Sequence, residues 1–261
     1  MYVRAKKALG QHFLKDEGIA KRIVDSLVIN GRTQVLEIGP GTGVLTKYLL
    51  ANPDIKLEVA EIDPESIACL QELFPQLLYS LQQRDFLKIP LEKIFQGRFA
   101  VIGNFPYNIS SQIFFRILDY KDSVPQVVCM LQREVAQRLT SGPGNKSYGI
   151  LSVLLQAWYD TEYLFTVDEH LFLPPPKVKS GVIRLTRNKR ENLGCDYSLF
   201  KTIVKTTFNQ RRKQIANSLK PFFGDKLKEL EGFHLLGMRP EQLSVEQFAE
   251  LTNRLSESDN R

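Results

Sequence analysis

The sequence Gln34-Val35-Leu36-Glu37-Ile38-Gly39-Pro40-Gly41-Thr42-Gly43 joins a short apolar run to a turn with three glycines. The apolar run predicts a buried strand, and a helix is predicted from about residue 42 to residue 50. Glycines at a strand-to-helix turn let the backbone approach a ligand, which the N–H groups of the helix start then face. The spacing is G-x-G-x-G, whereas the dinucleotide fingerprint expects glycine or alanine where Val44 or Thr46 stands. The turn therefore predicts a ligand site and disfavours nicotinamide or flavin.

Strands and helices alternate along the first two thirds of the chain. Apolar residues at helical spacing in residues 19–27 predict an N-terminal helix, and Asn30-Gly31 is a stop signal for it. Short apolar runs predict seven strands, at residues 34–38, 57–62, 77–82, 99–102, 126–131, 163–167 and 181–185. Repeated strand–helix units predict an α/β fold with a mostly parallel sheet and helices on both faces.

The pattern changes after Thr186. Residues 187–196 are polar and predict a linker, and beyond them only helical periodicity remains. Apolar positions on one predicted helix face are Phe200, Ile203, Val204 and Phe208. We therefore predict two domains, an α/β domain of residues 1–187 and a small all-helical domain of residues 188–261.

Length and composition are those of an ordinary globular protein. The chain has 261 residues, of which 43% are hydrophobic and 25% are charged. Its three cysteines and three histidines are scattered, which disfavours a disulfide framework and a metal site. The N-terminus lacks the apolar stretch of a secretory signal, and no apolar run is long enough to span a bilayer. We expect a cytoplasmic protein with no metal and no membrane partner.

Positive charge is concentrated in one part of the chain. The formal net charge is +6, yet residues 187–220 alone contain nine basic and two acidic residues. A localised basic block favours a polyanionic partner, because binding releases counterions. The cluster Arg211-Arg212-Lys213 is the best candidate for phosphate contacts, and a solvated helix-turn surface is the alternative interpretation.

Acidic residues end the second and third predicted strands. Glu61 is placed to accept hydrogen bonds from two ribose hydroxyls, and Asp85 from an adenine amine. A ligand with ribose and adenine but no phosphate fits this arrangement, and S-adenosylmethionine is such a ligand. The predicted cofactor site contains Gly39, Gly41, Gly43, Glu61, Ile62, Asp85 and Phe86. Taken singly, the two acids are also compatible with helix N-caps, and Gly43 with a packing glycine.

The tetrapeptide Asn104-Phe105-Pro106-Tyr107 follows the fourth predicted strand. The Asn104 amide oxygen and the Phe105 carbonyl are two acceptors that can converge on one exocyclic amine, while Tyr107 stacks on the base. Such an amine is a poor nucleophile, and two preset acceptors favour the pyramidal geometry in which its lone pair attacks. A simple Asn-x-Pro-Tyr turn is the alternative. No cysteine lies beside this loop, which disfavours a cytosine C5-methyltransferase.

With these motifs in place, the chain resembles the KsgA-type small-subunit (16S) ribosomal RNA adenine N6,N6-dimethyltransferases over essentially its full length. The matching segments are residues 9–14, 37–43, 104–110, 131–139, 148–153, 172–180 and 208–213. The resemblance implies a Rossmann-like class I methyltransferase domain with a seven-stranded sheet and a C-terminal helical domain that binds rRNA. It also implies dimethylation of two adjacent adenines near the 3′ end of small-subunit rRNA, in ribosome biogenesis.

The resemblance also assigns individual residues. His12 and Leu14 would contact the cofactor from the N-terminal segment, and His12 stands where the family often has Asn. The rest of that site would be Gly39, Glu61, Asp85 and Asn104. Phe172 matches a ring that the family places near the target base, opposite Tyr107.

These assignments predict direct in-line transfer from the sulfonium carbon to N6 of an adenine that has left its stack. Three alternatives stay open. The first is a large-subunit rRNA adenine methyltransferase of the macrolide-resistance type. The second is a binding-only ribosome assembly factor or transcription factor on the same fold, and the third is a DNA adenine methyltransferase. We expect a monomer.

Overall fold

The computed structural model describes residues 3–257, so the outer ends of both predicted domains, residues 1–2 and 258–261, lie outside the described residues. The strands are β1 Phe13–Leu14, β2 Thr33–Ile38, β3 Ile55–Glu61, β4 Leu81–Gln83, β5 Ala100–Asn104, β6 Gln126–Gln132, β7 Tyr159–Val167, β8 Phe172–Leu173 and β9 Ser180–Arg187. The helices are α1 Glu17–Asp25, α2 Thr46–Leu50, α3 Pro64–Leu73, α4 Leu91–Ile94, α5 Ser110–Asp119, α6 Arg133–Thr140, α7 Ile150–Gln156, α8 Tyr197–Asn209, α9 Ile215–Glu229 and α10 Val245–Glu257.

Seven strands form one sheet in the order β4-β3-β2-β5-β6-β9-β7. The pairs β4–β3, β3–β2, β2–β5 and β5–β6 are parallel, and β6–β9 is antiparallel. All seven predicted strands belong to this sheet, so the expected mostly parallel α/β fold is confirmed. The inner strand β2 is apolar at Val35, Leu36 and Ile38. All three are buried, because a parallel sheet is covered on both faces.

The order of the strands determines at which edge of the sheet a ligand is expected. The chain runs outward from β2 to β3 and β4, then returns to β5 on the other side of β2. Ligands bind outside the carboxyl ends of the strands at such a reversal. The glycine turn, Glu61 and Asn104 stand at the carboxyl ends of β2, β3 and β5.

Three local predictions are corrected. The helix after the glycine turn begins at Thr46, later than the expected residue 42. The third strand is only Leu81–Gln83, because Pro75–Leu77 form a 3₁₀ turn and Ser80 N donates to Leu77 O. Helix α1 ends at Asp25, with Ser26 as its C-cap, ahead of the predicted stop at Asn30-Gly31.

A second, two-stranded sheet was not visible in the sequence. Strand β1 pairs antiparallel with β8, so that Phe13 lies opposite Leu173 and Leu14 opposite Phe172. The ladder continues with Lys15 N donating to Leu171 O at 2.8 Å. Two-residue strands carry too little periodicity to be recognised.

The chain divides into two compact units. Unit 1 consists of residues 3–137 and 160–187 of the described chain, and unit 2 of residues 138–159 and 188–257. This division differs from the predicted one in residues 138–159, which group with the C-terminal helices. The reason is the apolar surface of α7, where Val153, Leu154 and Leu155 are fully buried and the helix contacts α8 and α10.

Unit 2 is built mainly from helices α7 to α10. Helix α8 presents Phe200, Ile203, Val204 and Phe208 to the core, as the periodicity predicted, and Asp196 caps it by accepting from Leu199 N at 2.6 Å. Edge contacts join the Phe200 and Phe248 rings, with centroids 6.4 Å apart. Within residues 3–257 no helix has both the length and the apolarity to cross a bilayer.

Candidate active site

A cavity of about 350 Å³ opens in unit 1 at the carboxyl ends of β2, β3 and β5. Its lining includes most of the residues predicted from the sequence. These are His12, Leu14, Gly39, Gly41, Glu61, Ile62, Asp85, Phe86, Asn104, Phe105, Pro106 and Tyr107. Gly43 and Phe172 are absent from the lining.

The glycines of the turn have two different roles. Gly41 has φ 58°, its N–H donates to Glu61 Oε2 at 3.2 Å, and a Cβ there would lie 2.8 Å from the Phe13 ring. A side chain at Gly43 would lie 2.5 Å from the Phe74 ring and 3.1 Å from Leu70. The packing of Phe74 and Leu70 is therefore one reason for a glycine at position 43, and its ligand contact stays a prediction.

Glu61 is buried at the end of β3 and accepts three backbone hydrogen bonds. Oε1 accepts from Ile62 N at 2.8 Å and Asp63 N at 2.9 Å, while Oε2 accepts from Gly41 N. Burial raises the pKa of this carboxyl, and the three N–H groups oppose that rise. A carboxylate has roughly four lone-pair sites, so the three backbone hydrogen bonds leave about one acceptor site for a ligand.

Asp85 both caps a 3₁₀ turn and lines the cavity. Its Oδ1 accepts from Leu87 N at 2.9 Å and so caps the 3₁₀ turn of residues 86–88. The N-cap interpretation therefore holds for one carboxylate oxygen. Asp85 and the buried Phe86 both line the cavity, and Ile62 does so with 51% of its surface exposed. An exposed isoleucine at a cavity offers an apolar surface for a flat ring.

Glu37 is the residue that the sequence did not single out. It lies one position before the end of β2, is 1% exposed and also lines the cavity. Thr46 Oγ1 donates to its Oε2 at 2.7 Å, whereas the buried Oε1 has no hydrogen-bond partner among the described residues. Burial raises the pKa of Glu37 to about 8. An acid between the apolar Leu36 and Ile38 of a buried strand was the available signal.

The Asn104 side chain has a defined orientation. Its Nδ2 donates to the backbone carbonyl of His12 at 2.9 Å. Because a carbonyl only accepts, the amide nitrogen must face His12, and Oδ1 is the atom directed elsewhere. Asn104 is half-buried and lines the cavity, so its amide oxygen is available as an acceptor there.

The next three residues hold this loop in place. The Phe105 ring is fully buried and meets Phe114 edge-on at 5.7 Å, so its backbone alone is left for a ligand. Phe105 N donates to Met130 O at 2.9 Å, and Ile109 N donates to Pro106 O at 3.2 Å. Together these contacts fix the loop between β5 and α5.

Tyr107 is held at both ends of its side chain. Its hydroxyl lies 2.6 Å from Ser180 Oγ, and its ring stacks with the His12 imidazole at a centroid distance of 5.5 Å and an interplanar angle of 27°. Burial raises the pKa of the Tyr107 hydroxyl. The phenol is therefore neutral at physiological pH and serves as a ring with a hydrogen-bonding end.

Phe172 lies elsewhere than the resemblance implied. Its ring is 1% exposed and belongs to the core cluster that includes Leu14, Val167 and Val182. Phe172 lies in the two-stranded sheet directly opposite Leu14. Both side chains belong to the core cluster. In this structure the Phe172 ring therefore lies in the core and not at the cavity opposite Tyr107.

The N-terminal segment is tied to α3. Buried Asp63, the N-cap of α3, accepts from Gln11 Nε2 at 2.9 Å and from Lys6 Nζ. Gln11 Oε1 in turn accepts from Lys6 N at 2.8 Å. These bonds bring His12 and Leu14 to the cavity.

The predicted RNA-binding cluster lies in unit 2, in the turn between α8 and α9. Arg211 is half-buried, its Nη2 donates to Asn145 O at 3.4 Å, and its Nε lies 3.8 Å from Glu241. Arg212 and Lys213 are exposed. Two of the three cations are thus presented to solvent.

Comparison with known proteins agrees with this geometry. Residues 2–257 match the family model described as ribosomal RNA adenine dimethylase. A protein of Parabacteroides distasonis named ribosomal RNA small subunit methyltransferase A is 60% identical, and the alignment covers 96% of this chain and 93% of that protein. The protein of the same name from Bacteroides thetaiotaomicron is 54% identical, with 98% and 96% covered.

Solved structures have the same fold. A dimethyladenosine transferase from Plasmodium falciparum superposes with a TM-score of 0.79 at 23% identity, covering 95% of this chain and 98% of that one. The 23S rRNA methyltransferase ErmE gives 0.70 at 26% identity, covering 94% and 99%. The identity to this large-subunit enzyme is far below that to the small-subunit relatives, so the large-subunit alternative is not favoured. The chain therefore belongs to the ribosomal RNA adenine dimethylase family.

Proposed function

We propose that this chain dimethylates N6 of two adjacent adenines near the 3′ end of small-subunit (16S) rRNA, with S-adenosylmethionine as methyl donor. The observation that carries the proposal is the orientation of Asn104. Its Nδ2 is held by His12 O, which directs Oδ1 away as an acceptor in the same cavity as Glu61 and the glycine turn. An acceptor preset for an exocyclic amine, beside a nucleoside-sized site, is what transfer to adenine N6 requires.

The residues present fit S-adenosylmethionine. Glu61 retains acceptor capacity for a ribose hydroxyl, Ile62 and Phe86 offer apolar surface for an adenine, and Asp85 retains Oδ2 for its amine. Gly41 leaves the backbone open where a side chain would intrude. When bound, this cofactor supplies an electrophilic methyl group on a sulfonium. Leu14 closes the site from the N-terminal segment.

Asn104 Oδ1 and the Phe105 carbonyl would accept hydrogen bonds from the target amine and orient its lone pair. Tyr107 would hold the base by stacking, which contributes about 1–3 kcal/mol per base at comparable sites. Because the amine loses its proton after attack, no side chain of matched pKa is needed before it. The adenine has to leave its stack to reach the cavity.

The decisive experiment compares wild type with Asn104→Ala. We expect methyl transfer to unmethylated small subunits to fall at least about 100-fold, the scale of losing one preset polar group. Subunit binding and cofactor affinity measured by calorimetry should stay within a few-fold of wild type. Parallel loss of transfer, binding and melting temperature would instead make Asn104 a folding residue.

The same assay separates the remaining alternatives. Labelled methyl groups should enter isolated small subunits, whereas large subunits and duplex DNA should stay unlabelled. A chain that binds small subunits but transfers nothing would be a binding-only assembly factor. We also propose that the chain acts as a cytoplasmic monomer, and light scattering of the purified protein at assay concentration checks the oligomeric state.

A further inference from the structure

The hydroxyl of Tyr107 lies 2.6 Å from the Oγ of Ser180, the first residue of β9. Ser180 is fully buried and does not belong to the cavity lining, so it can influence the reaction only through another residue. Resting on the proposed function, we infer that Ser180 is a positioning residue for methyl transfer. Its hydroxyl holds the Tyr107 ring in the orientation in which that ring receives the target adenine.

The topology of the sheet brings this hydroxyl to the edge where the cavity lies. Strands β5 and β6 are parallel and both end at that edge, whereas β9 is antiparallel to β6 and begins there. Ser180 pairs with Gln132, the last residue of β6, and Arg133 N donates to Lys179 O at 2.9 Å. The backbone that carries the Ser180 hydroxyl is therefore held by its pairing with β6.

The loop after β5 reaches Ser180 across β6. Asn104 is paired with Met130 of β6, and Phe105 N donates to Met130 O at 2.9 Å. Tyr107, two residues further on, extends its side chain to β9 on the other side of β6. The loop that carries the amide of Asn104 is thus attached to β6 by its backbone and to β9 by the phenol.

The two contacts of the Tyr107 side chain have different effects. The His12 imidazole lies on one face of the ring, with centroids 5.5 Å apart, so a stacked base would use the opposite face. The hydrogen bond between the phenol and Ser180 prevents the ring from moving to another χ1 rotamer, which would turn that opposite face away from the cavity. A base that leaves its stack therefore meets a ring that needs no reorganisation.

Loss of this bond should affect turnover more than subunit binding. The adenine leaves its stack within the bound subunit, and a ring that changes rotamer lowers the fraction of complexes in which the amine is in line with the methyl donor. The affinity for the subunit depends mainly on phosphate contacts, which this change does not touch. We therefore expect kcat to fall and KM to stay nearly constant.

A double-mutant cycle tests the inference on unmethylated small subunits. The full-length variants are Ser180→Ala, Tyr107→Phe, which keeps the ring and breaks the same bond from the other side, and the double variant. Ser218→Ala is the matched control, because Ser218 is also fully buried and its Oγ donates to Gln214 O at 3.2 Å within α9. The readouts are kcat, KM, S-adenosylmethionine affinity by calorimetry and melting temperature.

We expect Ser180→Ala and Tyr107→Phe each to lose about 10-fold in kcat, and the double variant to lose no more than either alone. KM and cofactor affinity should change less than about 3-fold, and Ser218→Ala should keep the wild-type kcat. The melting temperature should behave differently from kcat. It should fall in Ser180→Ala, which leaves the phenol without this partner, and recover in the double variant, because removal of both partners is nearly neutral.

Four results would overturn the inference: wild-type kcat in either single variant, losses in kcat that multiply in the double variant, cofactor affinity that falls in step with kcat, or kcat that recovers together with the melting temperature. The last result would make the hydroxyl pair a folding contact. If Ser180→Ala does not fold, Tyr107→Phe decides alone, since unchanged turnover there overturns the inference. A wild-type chain that methylates no small subunit would reject the proposed function itself.

Discussion

The carboxyl group of Glu37 is buried beside the glycine turn, and one of its oxygens has no hydrogen-bond partner in the described part of the chain. Burial raises its pKa from 4.5 to about 8. Between these two values the folded chain holds a proton that the unfolded chain has released. The contribution of Glu37 to the free energy of unfolding therefore falls as pH rises from about 4.5 to about 8, by at most about 1.4 kcal/mol per pH unit.

Glu37→Gln should remove this contribution. We expect the free energy of unfolding of the cofactor-free variant, from urea titrations at pH 5, 6, 7 and 8, to depend less on pH than that of wild type. The difference in free energy of unfolding between Glu37→Gln and wild type should favour the variant most at pH 8. The exposed Glu250→Gln serves as the control, and a wild-type slope retained in Glu37→Gln would contradict the assignment.

Gly41 and Gly31 form a matched pair at the residue scale. Both have left-handed backbones, with φ 58° and 66°. A Cβ at Gly41 would lie 2.8 Å from the Phe13 ring, whereas one at Gly31 would meet no atom of residues 3–257 within 4 Å. Alanine at either position should cost about 1–2 kcal/mol in backbone strain. Only Gly41→Ala should also displace Phe13 and weaken S-adenosylmethionine binding. Equal cofactor affinity in the two variants by calorimetry would show that the close contact is harmless.

At the scale of elements, the N-terminal segment is positioned by hydrogen bonds to α3 and by the β1–β8 ladder. Gln11→Ala removes one bond to the buried Asp63 carboxylate and one from Lys6 N. Loss of a bond to a charged buried group costs about 1–3 kcal/mol. We therefore expect faster amide exchange at residues 13–15, read by hydrogen–deuterium exchange.

Lys21→Ala is the control for that experiment, since it removes an exposed ion pair within α1, to Asp25. It should leave exchange at residues 13–15 unchanged. Unaltered protection in Gln11→Ala would mean that the β1–β8 ladder alone holds the segment.

At the scale of the whole molecule, the position of the positive charges can be tested apart from their number. Salt dependence distinguishes phosphate contacts of the Arg211-Arg212-Lys213 cluster from attraction by net charge. Replacing Arg211, Arg212 and Lys213 by Gln removes three positive charges. The dependence of log K for small-subunit binding on log salt should then flatten by about 2, given about 0.7–0.9 per phosphate contact. The half-buried Arg211, which lies near Glu241, should contribute least of the three.

The control replaces exposed Arg32, Lys56 and Lys93 by Gln, which changes net charge equally outside residues 187–220. Its salt slope should change by less than about 1. Equal slopes for the two triple variants would assign the effect to net charge, with the cluster as an ordinary surface.

The sequence by itself determined the seven-stranded sheet and the edge of that sheet at which the cavity lies. Apolar runs, a glycine-rich turn and polar residues at strand ends are local signals, and parallel strands bring their carboxyl ends to one edge. Gly41, Glu61, Asp85 and Asn104 could therefore be placed together before any coordinates. The third strand was predicted too long, because the apolar Leu77 and Leu78 belong to a 3₁₀ turn and its C-cap. The predicted ends of α1 and α2 also differ from the structure.

Only the tertiary structure decided which groups meet across long stretches of chain. Asn104 and His12 are 92 residues apart, and Tyr107 and Ser180 are 73 apart. Packing likewise made Gly43 a contact of Phe74, buried Phe172 and left the His12 ring on Tyr107. Burial also gave Glu37 its raised pKa. A sequence pattern specifies which face of an element is buried, but the neighbour that covers that face is fixed by the packing of distant segments, where volume and hydrogen bonds must be satisfied together.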